Sequence, residues 1–282
     1  METQFNGDTA SRGACGPPNR RVATLAYDGL GTFEFGIVVE LFGLPRPEFD
    51  DWYEFIVCSQ DPGPLRATGG ISVTTTGSLR DLEEAGTVVL PGWQSTRDAP
   101  PERVVDALRT AYAAGSRLVS ICSGVFLLAA TGLLNQRRAT THWLLVDELR
   151  ERYPEIVVDP GVLYVDEGRI LTSAGSAAGI DLCLHLIRRD HGVARANAVA
   201  RRLVVPPHRE GGQAQFVEQA VASEAEHPLS RLMDEVRSTL PEPHTVESMA
   251  RTAGMSPRSL ARQFHRAAGT TPKRWLARER LF

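Results

Sequence analysis

The chain has 282 residues, 42% apolar and 23% charged, enough for one sizeable core and a smaller module. The longest largely apolar segment, residues 125–134, is too short to span a membrane, and four scattered cysteines with no CxxC pair (Cys15, Cys58, Cys122, Cys183) speak against a zinc site or a secreted disulfide framework. Net charge is −3, but residues 251–282 carry eight basic side chains against Glu279, giving +7 and leaving −10 on the preceding 250 residues; a basic tail on an acidic body is the pattern of a nucleic-acid-binding appendage.

Residues 1–20 are polar and rich in Gly, Pro and Asn, with no apolar block for a translocon, so a disordered leader and a cytoplasmic protein are expected. RVATLAY (21–27) reads as a strand and TFEFGIVVELFG after it as a helix ending at Gly43. YEFIVCS is a second strand, LRATGGISVTT a hairpin around Gly69-Gly70, and TVVLPGW a buried strand closed by a Pro-Gly turn. Residues 102–115 have the helical period and a terminal Gly115. RLVSI is the next strand, VFLLAATG a helix, HWLLVDELRERYP another stopped by Pro154, RILTSAG a strand, and GIDLCLHLIRRDHG a long helix expected to end at Gly192. Strands alternating with helices indicate βαβ crossovers and a mostly parallel sheet sandwiched by helices, with chemistry at the carboxyl ends of the strands. Residues 206–215 are rich in Pro and Gly and mark the edge of this first domain. HPLSRLMDEVRSTLPEP then offers one helix ended by Pro241.

Cys122 falls where the RLVSI strand turns into a helix, and the small Ser123 and Gly124 let that helix start at once. Free N–H groups and the helix dipole there favour negative charge, so a depressed thiol pKa and a nucleophilic thiolate are expected. A small buried residue ending a strand is the alternative.

LVSICSGVFLLAATGLLNQRRATTHW together with LTSAGSAAGIDLCLHLI resembles the ThiJ/PfpI superfamily, relatives of class I glutamine amidotransferases, over residues 21–204. The resemblance implies a flavodoxin-like α/β fold and a nucleophile elbow at Cys122 with His142 twenty residues on. It also places an acid, Glu34, beside the sulfur, and an anion-binding turn at LPGW, where Gly92 and Trp93 join Ser123 as ligand-binding candidates. Trp93 stands where the commoner pattern has a second Gly, and its bulk speaks against carried-over hydrolase chemistry. Simpler roles stay open: Glu34 as an exposed helix acid, His142 as a turn residue, Ser123 as a helix start.

Residues 244–276 have the grammar of a helix-turn-helix. Thr245 caps a first helix with Met249, Ala250 and Ala253 inward, Gly254 supplies the turn, and Ser256-Pro257 start a second helix buried through Leu260 and Phe264. At about 100° per residue, Arg258, Ser259, Arg262, His265 and Arg266 fall on the outer half, with Gln263 at the flank. Arg258, Ser259 and Arg262 are the candidates for base contact; Arg266, Lys273 and Arg274 for phosphate contact; Gln263 suits either.

AGMSPRSLARQF and GTTPKRWL are similar to the AraC/XylS family of transcription regulators, and the whole chain resembles those of its members that carry an amidotransferase-like sensor. The expected layout is a leader (1–20), a sensor (21–205), a linker (206–227) and a small all-α DNA-binding domain (228–282). The family places two helix-turn-helix units on a connecting helix, and this sequence stops at Phe282 just inside that helix, so the second unit is expected to be missing and monomer affinity weak. The resemblance implies a dimeric regulator with double-stranded DNA and a small-molecule effector as partners, RNA polymerase as a further candidate, no cofactor, no metal and no membrane. The alternative is a cysteine-dependent hydrolase or hydratase acting on a small amide, isonitrile or glycated substrate.

Overall fold

The computed structural model describes residues 19–61, 63–213, 215, 228–240, 242–268 and 271–279, of which 228, 230, 265–268, 274 and 278 are described in backbone only. The leader expectation for residues 1–20 therefore falls almost wholly outside the described residues. By internal contacts the chain divides into two compact units, Met1–Phe216 and Val217–Phe282.

The first unit is built on a six-stranded sheet in the order β2-β1-β5-β6-β10-β9. Its strands are β1 (Arg21–Leu25), β2 (Glu54–Cys58), β5 (Thr87–Leu90), β6 (Arg117–Ile121), β9 (Tyr164–Asp166) and β10 (Ile170–Ser173), all parallel except the β9 edge, which runs antiparallel to β10. The short hairpin β3 (Pro64–Arg66) and β4 (Ser72–Thr74) turns through Gly69 and Gly70, both at positive φ. A small pair, β7 (Arg138–Ala139) with β8 (Val157–Val158), lies apart from the main sheet.

Alternation along each strand sends neighbouring side chains into different layers. Ala23, Leu25, Val88, Leu90 and Leu118 join one core with α2 (Leu79–Glu83), α3 (Glu102–Ala113), α4 (Val125–Ala130) and α5 (Val146–Arg152). Val22, Val89, Val119, Ile121 and Leu171 join the other with α1 (Thr32–Val38) and α6 (Ala177–Arg202). α1 runs on into a π-helical turn, Val39–Gly43.

One expectation holds and one needs correction. The long helix breaks at Gly192 as its sequence predicts, at φ +83, and a second helical segment then runs on to Arg202, burying Ala196, Val199 and Ala200 in the same layer as the first. The segment expected to begin the linker is fastened to the sheet over much of residues 206–215, with the Gly211 carbonyl accepting from Leu163 N at 2.7 Å.

The second unit holds α7 (Pro228–Ser238), α8 (Val246–Thr252), α9 (Pro257–Ala268) and α10 (Pro272–Glu279) around its own core of Leu229, Leu232, Val236, Met249, Leu260, Phe264 and Trp275. Pro241, expected to end α7, lies outside the described residues.

Candidate functional site

Neighbouring strands β1, β5, β6 and β10 release their chains at one edge of the sheet. Tyr27, the Pro91-Gly92-Trp93 turn, Cys122 and the Ala174-Gly175-Ser176 turn are gathered there from distant parts of the sequence. This is the carboxyl edge, where α/β sheets hold ligands.

Cys122 begins a single 3-10 turn, Cys122–Gly124, between β6 and α4. Its φ of +55 is left-handed, which costs a residue with a Cβ roughly 1–2 kcal/mol. The surroundings hold it there. A methyl group on Gly124 would stand 2.3 Å from the Leu90 carbonyl oxygen, and one on Gly175 would stand 2.3 Å from the Cys122 Cβ and 2.9 Å from its sulfur. Both neighbours must be glycine for the elbow to seat between β5 and β10. The Thr141 hydroxyl donates to the Cys122 carbonyl at 3.0 Å, tying the loop that carries His142 to the elbow.

The thiol is not activated as the strand-to-helix position predicts. Burial pushes its pKa up to about 11, with the Glu34 charge adding to the rise, and the hydrogen bond from Ser123 N–H to the sulfur only partly opposes them. The expected dipole effect is overridden because the elbow turn is short and the sulfur is withdrawn from water. Glu34, in the first turn of α1, thus lies near the sulfur as the resemblance implies.

Sequence reasoning missed Tyr27. Its phenol accepts from Gly31 N–H and is raised far above its ordinary pKa by burial, then by Glu34 and Cys122. The three ionisable groups form one cluster, and the signal for Tyr27 was its place just past the end of β1. Gly175 was missed too, although it follows β10 as Cys122 follows β6.

Ser123 and Trp93 hold each other. The Trp93 amide donates to Ser123 Oγ at 2.9 Å, and the Ser123 hydroxyl donates back to the Trp93 carbonyl at 3.0 Å. That amide and hydroxyl, expected to serve a ligand, are spent on closing the turn against the elbow. The Trp93 ring is only 8% exposed and packs on Tyr27 at 4.6 Å between centroids. Both rings line a cavity of about 140 Å³ with Gln60 and Gln94. Gly92 is buried at φ +105, its Cα facing the Tyr27 and Ser123 hydroxyls.

His142 makes no hydrogen bond to Cys122 among the described residues. Its Nδ1 accepts from Leu144 N at 3.4 Å, and its ring lines a second cavity of about 170 Å³ with Gly175, Ser176, Arg209 and Gln215. The structure therefore brings Cys122, Glu34, Gly92, Trp93 and Ser123 together and sets His142 in the adjoining cavity, across Gly175.

In the second unit, Thr245 and Ser248 cap α8 reciprocally, and Gly254 turns at φ +65 into α9. Leu260 and Phe264 are fully buried, so Arg258 and Arg262 emerge on the opposite side, exposed. Ser259 is half-buried and its hydroxyl accepts from Ser256, the α9 cap, at 3.1 Å. Gln263 is half-buried, with its amide oxygen enclosed and unpaired among the described residues. Lys273 is exposed at the start of α10. The side chains of His265, Arg266 and Arg274 lie outside the described residues.

Residues 20–189 match the DJ-1/PfpI family. The chain is 31% identical over 91% of its length to the HTH-type transcriptional regulator CdhR of Pseudomonas aeruginosa, spanning 76% of that protein. It is 31% identical over 62% of its length to the HTH-type transcriptional regulator ArgR of the same organism, spanning only 53% of it. An isonitrile hydratase of Pseudomonas putida is 31% identical over 52% of this chain and 64% of its own. Among solved structures, an AraC family transcriptional regulator from Pseudomonas putida superposes with a TM-score of 0.58 at 21% identity, over 65% of this chain and 98% of the other, a likeness of fold.

Proposed function

This chain belongs to the DJ-1/PfpI family and groups with its HTH-type transcriptional regulators, and from that premise we propose that it binds double-stranded DNA through α9 and regulates transcription in response to a small molecule held beside Cys122. The observation that carries the reading is α9 itself, which buries Leu260 and Phe264 and leaves Arg258 and Arg262 exposed one turn apart on its amino-terminal half. A helix entering a major groove by its first turns presents those two guanidinium groups to base edges. Lys273 adds a phosphate contact from α10, and Arg266 and Arg274 are proposed beside it. A homodimer, contact with RNA polymerase and a cytoplasmic location belong to the same proposal.

The second reading, a cysteine-dependent hydratase or hydrolase, is favoured by the elbow and by the isonitrile hydratase relative. The thiol argues against it. Burial and the Glu34 charge push its pKa up to about 11, away from the nucleophilic thiolate, and among the described residues His142 makes no hydrogen bond to the sulfur. An environment that keeps the sulfur neutral suits a binding wall better than a nucleophile.

Selection from a random duplex pool followed by polarisation titration tests the proposal. The selected duplex is expected to bind with an affinity that falls steeply as salt rises. Arg258→Ala and Arg262→Ala are each expected to cost about 1–3 kcal/mol. Affinity indifferent to both salt and the two substitutions overturns it; steady turnover of an isonitrile or amide that vanishes in Cys122→Ala establishes the second reading instead.

A further inference from the structure

The loop between the π-helical turn and β2 carries a buried cation. Arg46 is only 3% exposed, although Pro45, Pro47 and Glu48 around it are at the surface. Its Nη2 donates to Glu40 O at 3.0 Å, a carbonyl left free because the residue five positions on, which would supply the next π-helical N–H, is Pro45. Its Nε and Nη1 are enclosed and have no acceptor among the described residues. A guanidinium does not give up its charge, so a buried one with a single neutral acceptor is costly unless an anion meets it.

Two further donors in the same place are unpaired. The guanidinium lies over the Trp52 ring at 5.2 Å, and the His191 ring stacks on that indole with 5.0 Å between centroids and 21° between planes. Trp52 Nε1 is enclosed without an acceptor among the described residues. His191 Nδ1 accepts from Arg195 Nη1 at 3.0 Å, which puts the ring proton on Nε2, and that N–H is likewise enclosed and unpaired. All four unpaired atoms around this tryptophan are therefore donors.

The neighbouring carboxylates are committed elsewhere. Asp190 is held by Arg117 and Tyr53, Asp51 pairs with both Arg20 and Arg195, and Glu48 reaches Arg202 at 3.8 Å. Burial and Arg202 disfavour the Arg46 charge, and Glu40 and Glu48 offset them without making an ion pair to it among the described residues. The place is also remote from Cys122. Trp52 and Tyr53 lead into β2 at its amino end, and His191 lies fourteen residues past the start of α6, about 21 Å of helix, beside the break at Gly192.

The donors come from three side chains on two segments. A tetrahedral oxyanion accepts from several directions at once, whereas a carboxylate offers two oxygens in one plane. We propose that Arg46, Trp52 and His191 form an anion site at the amino edge of the sheet, separate from the elbow, and that it takes a small tetrahedral oxyanion, either free phosphate or the phosphate group of a small metabolite. Arg46 is too covered for a duplex backbone to reach, so the site is no part of the DNA interface. It lies wholly in the first unit and stands whether or not the chain regulates transcription. A bound anion clamps the segment before β2 to α6 at the point where that helix breaks.

The test titrates the full chain with phosphate, sulfate, glycerol 3-phosphate and acetate, chloride holding the ionic strength constant. Melting temperature and the Trp52 indole N–H resonance are followed, the latter assigned by its absence in Trp52→Phe. Phosphate and sulfate are expected to raise the melting temperature saturably and to shift the indole signal in step, with acetate weaker by about tenfold or more. Glycerol 3-phosphate binding more tightly than phosphate identifies a metabolite as the source; weaker binding identifies the free ion. Arg46→Met, which keeps the length and removes the charge, is expected to weaken phosphate binding by about tenfold or more. Trp52→Phe keeps a stacked ring, guards against a fold defect in the first variant, and is expected to weaken binding by about fivefold. No saturable effect of either oxyanion shows that water alone meets these donors and overturns the site. Acetate binding as tightly as phosphate, or phosphate affinity unchanged in both variants, overturns it equally.

Discussion

Cys122 shows how one residue can be well placed by local grammar and then reset by its neighbours. Strand, cysteine and small residues announced the elbow, and the turn is there at φ +55. Its protonation went the other way, because burial and the Glu34 charge are contributed by chain far from residue 122. Iodoacetamide modification of Cys122, followed by peptide mass spectrometry, is therefore expected to be slow at pH 7 and to rise toward pH 11, with its midpoint lowered in Glu34→Gln. The linkage has a definite sign. Between the ordinary thiol value near 9 and about 11 the folded protein keeps a proton that the unfolded chain releases, so this residue's contribution to stability is full below pH 9 and declines above it. Tyr27 and Gly175 belong to the same place: a position just past the end of a strand marks each for the carboxyl edge, but nothing local to either reveals that it lies beside the sulfur.

At the scale of elements, hydrophobic period located the strands and helices of the sheet, and Gly192 marked the break in α6. What the pattern did not show is that helix resumes beyond it to Arg202, where Ala196, Val199 and Ala200 bury. Before the break, α6 is anchored to β6 by a buried pair. Arg117 grips both oxygens of Asp190 at 2.7 and 2.6 Å and reaches Thr87 Oγ1, while Tyr53 OH donates to Asp190 at 2.8 Å. Asp190→Ala strands the buried guanidinium and is expected to cost about 3–5 kcal/mol in urea unfolding of the first unit. Residues 206–215 are the converse case: their composition predicts exposed connecting chain, and backbone hydrogen bonds plus the Arg209–Asp181 pair bind them down. Composition reports what a segment lacks by way of apolar residues, not which polar partners the fold will offer it.

Across the whole molecule, the two units have separate apolar clusters, Leu260, Phe264 and Trp275 lying in one and Leu118, Val119 and Leu171 in the others. Phe264→Ala removes a fully buried ring that sits 5.5 Å from Trp275 and is expected to cost about 3–5 kcal/mol. Hydrogen exchange should show protection lost in α7, α8, α9 and α10 and retained in the sheet, with DNA affinity lost. Loss of protection in both units together would show that their stabilities are coupled. The charge split, +7 at residues 251–282 against −10 before them, gives the same division of labour at long range, drawing one end of the chain toward phosphate.

From its order of residues alone, this protein declared its architecture, its elbow cysteine and its arginine-bearing helix, because alternation, capping residues and helical spacing act over a few positions and survive in any context. Which groups share the sulfur's niche, whether the thiol is charged, and that a Pro- and Gly-rich segment walls a cavity were decided only once the sheet closed. Desolvation and contact are properties of residues brought together from opposite ends of the unit, and no local pattern records them.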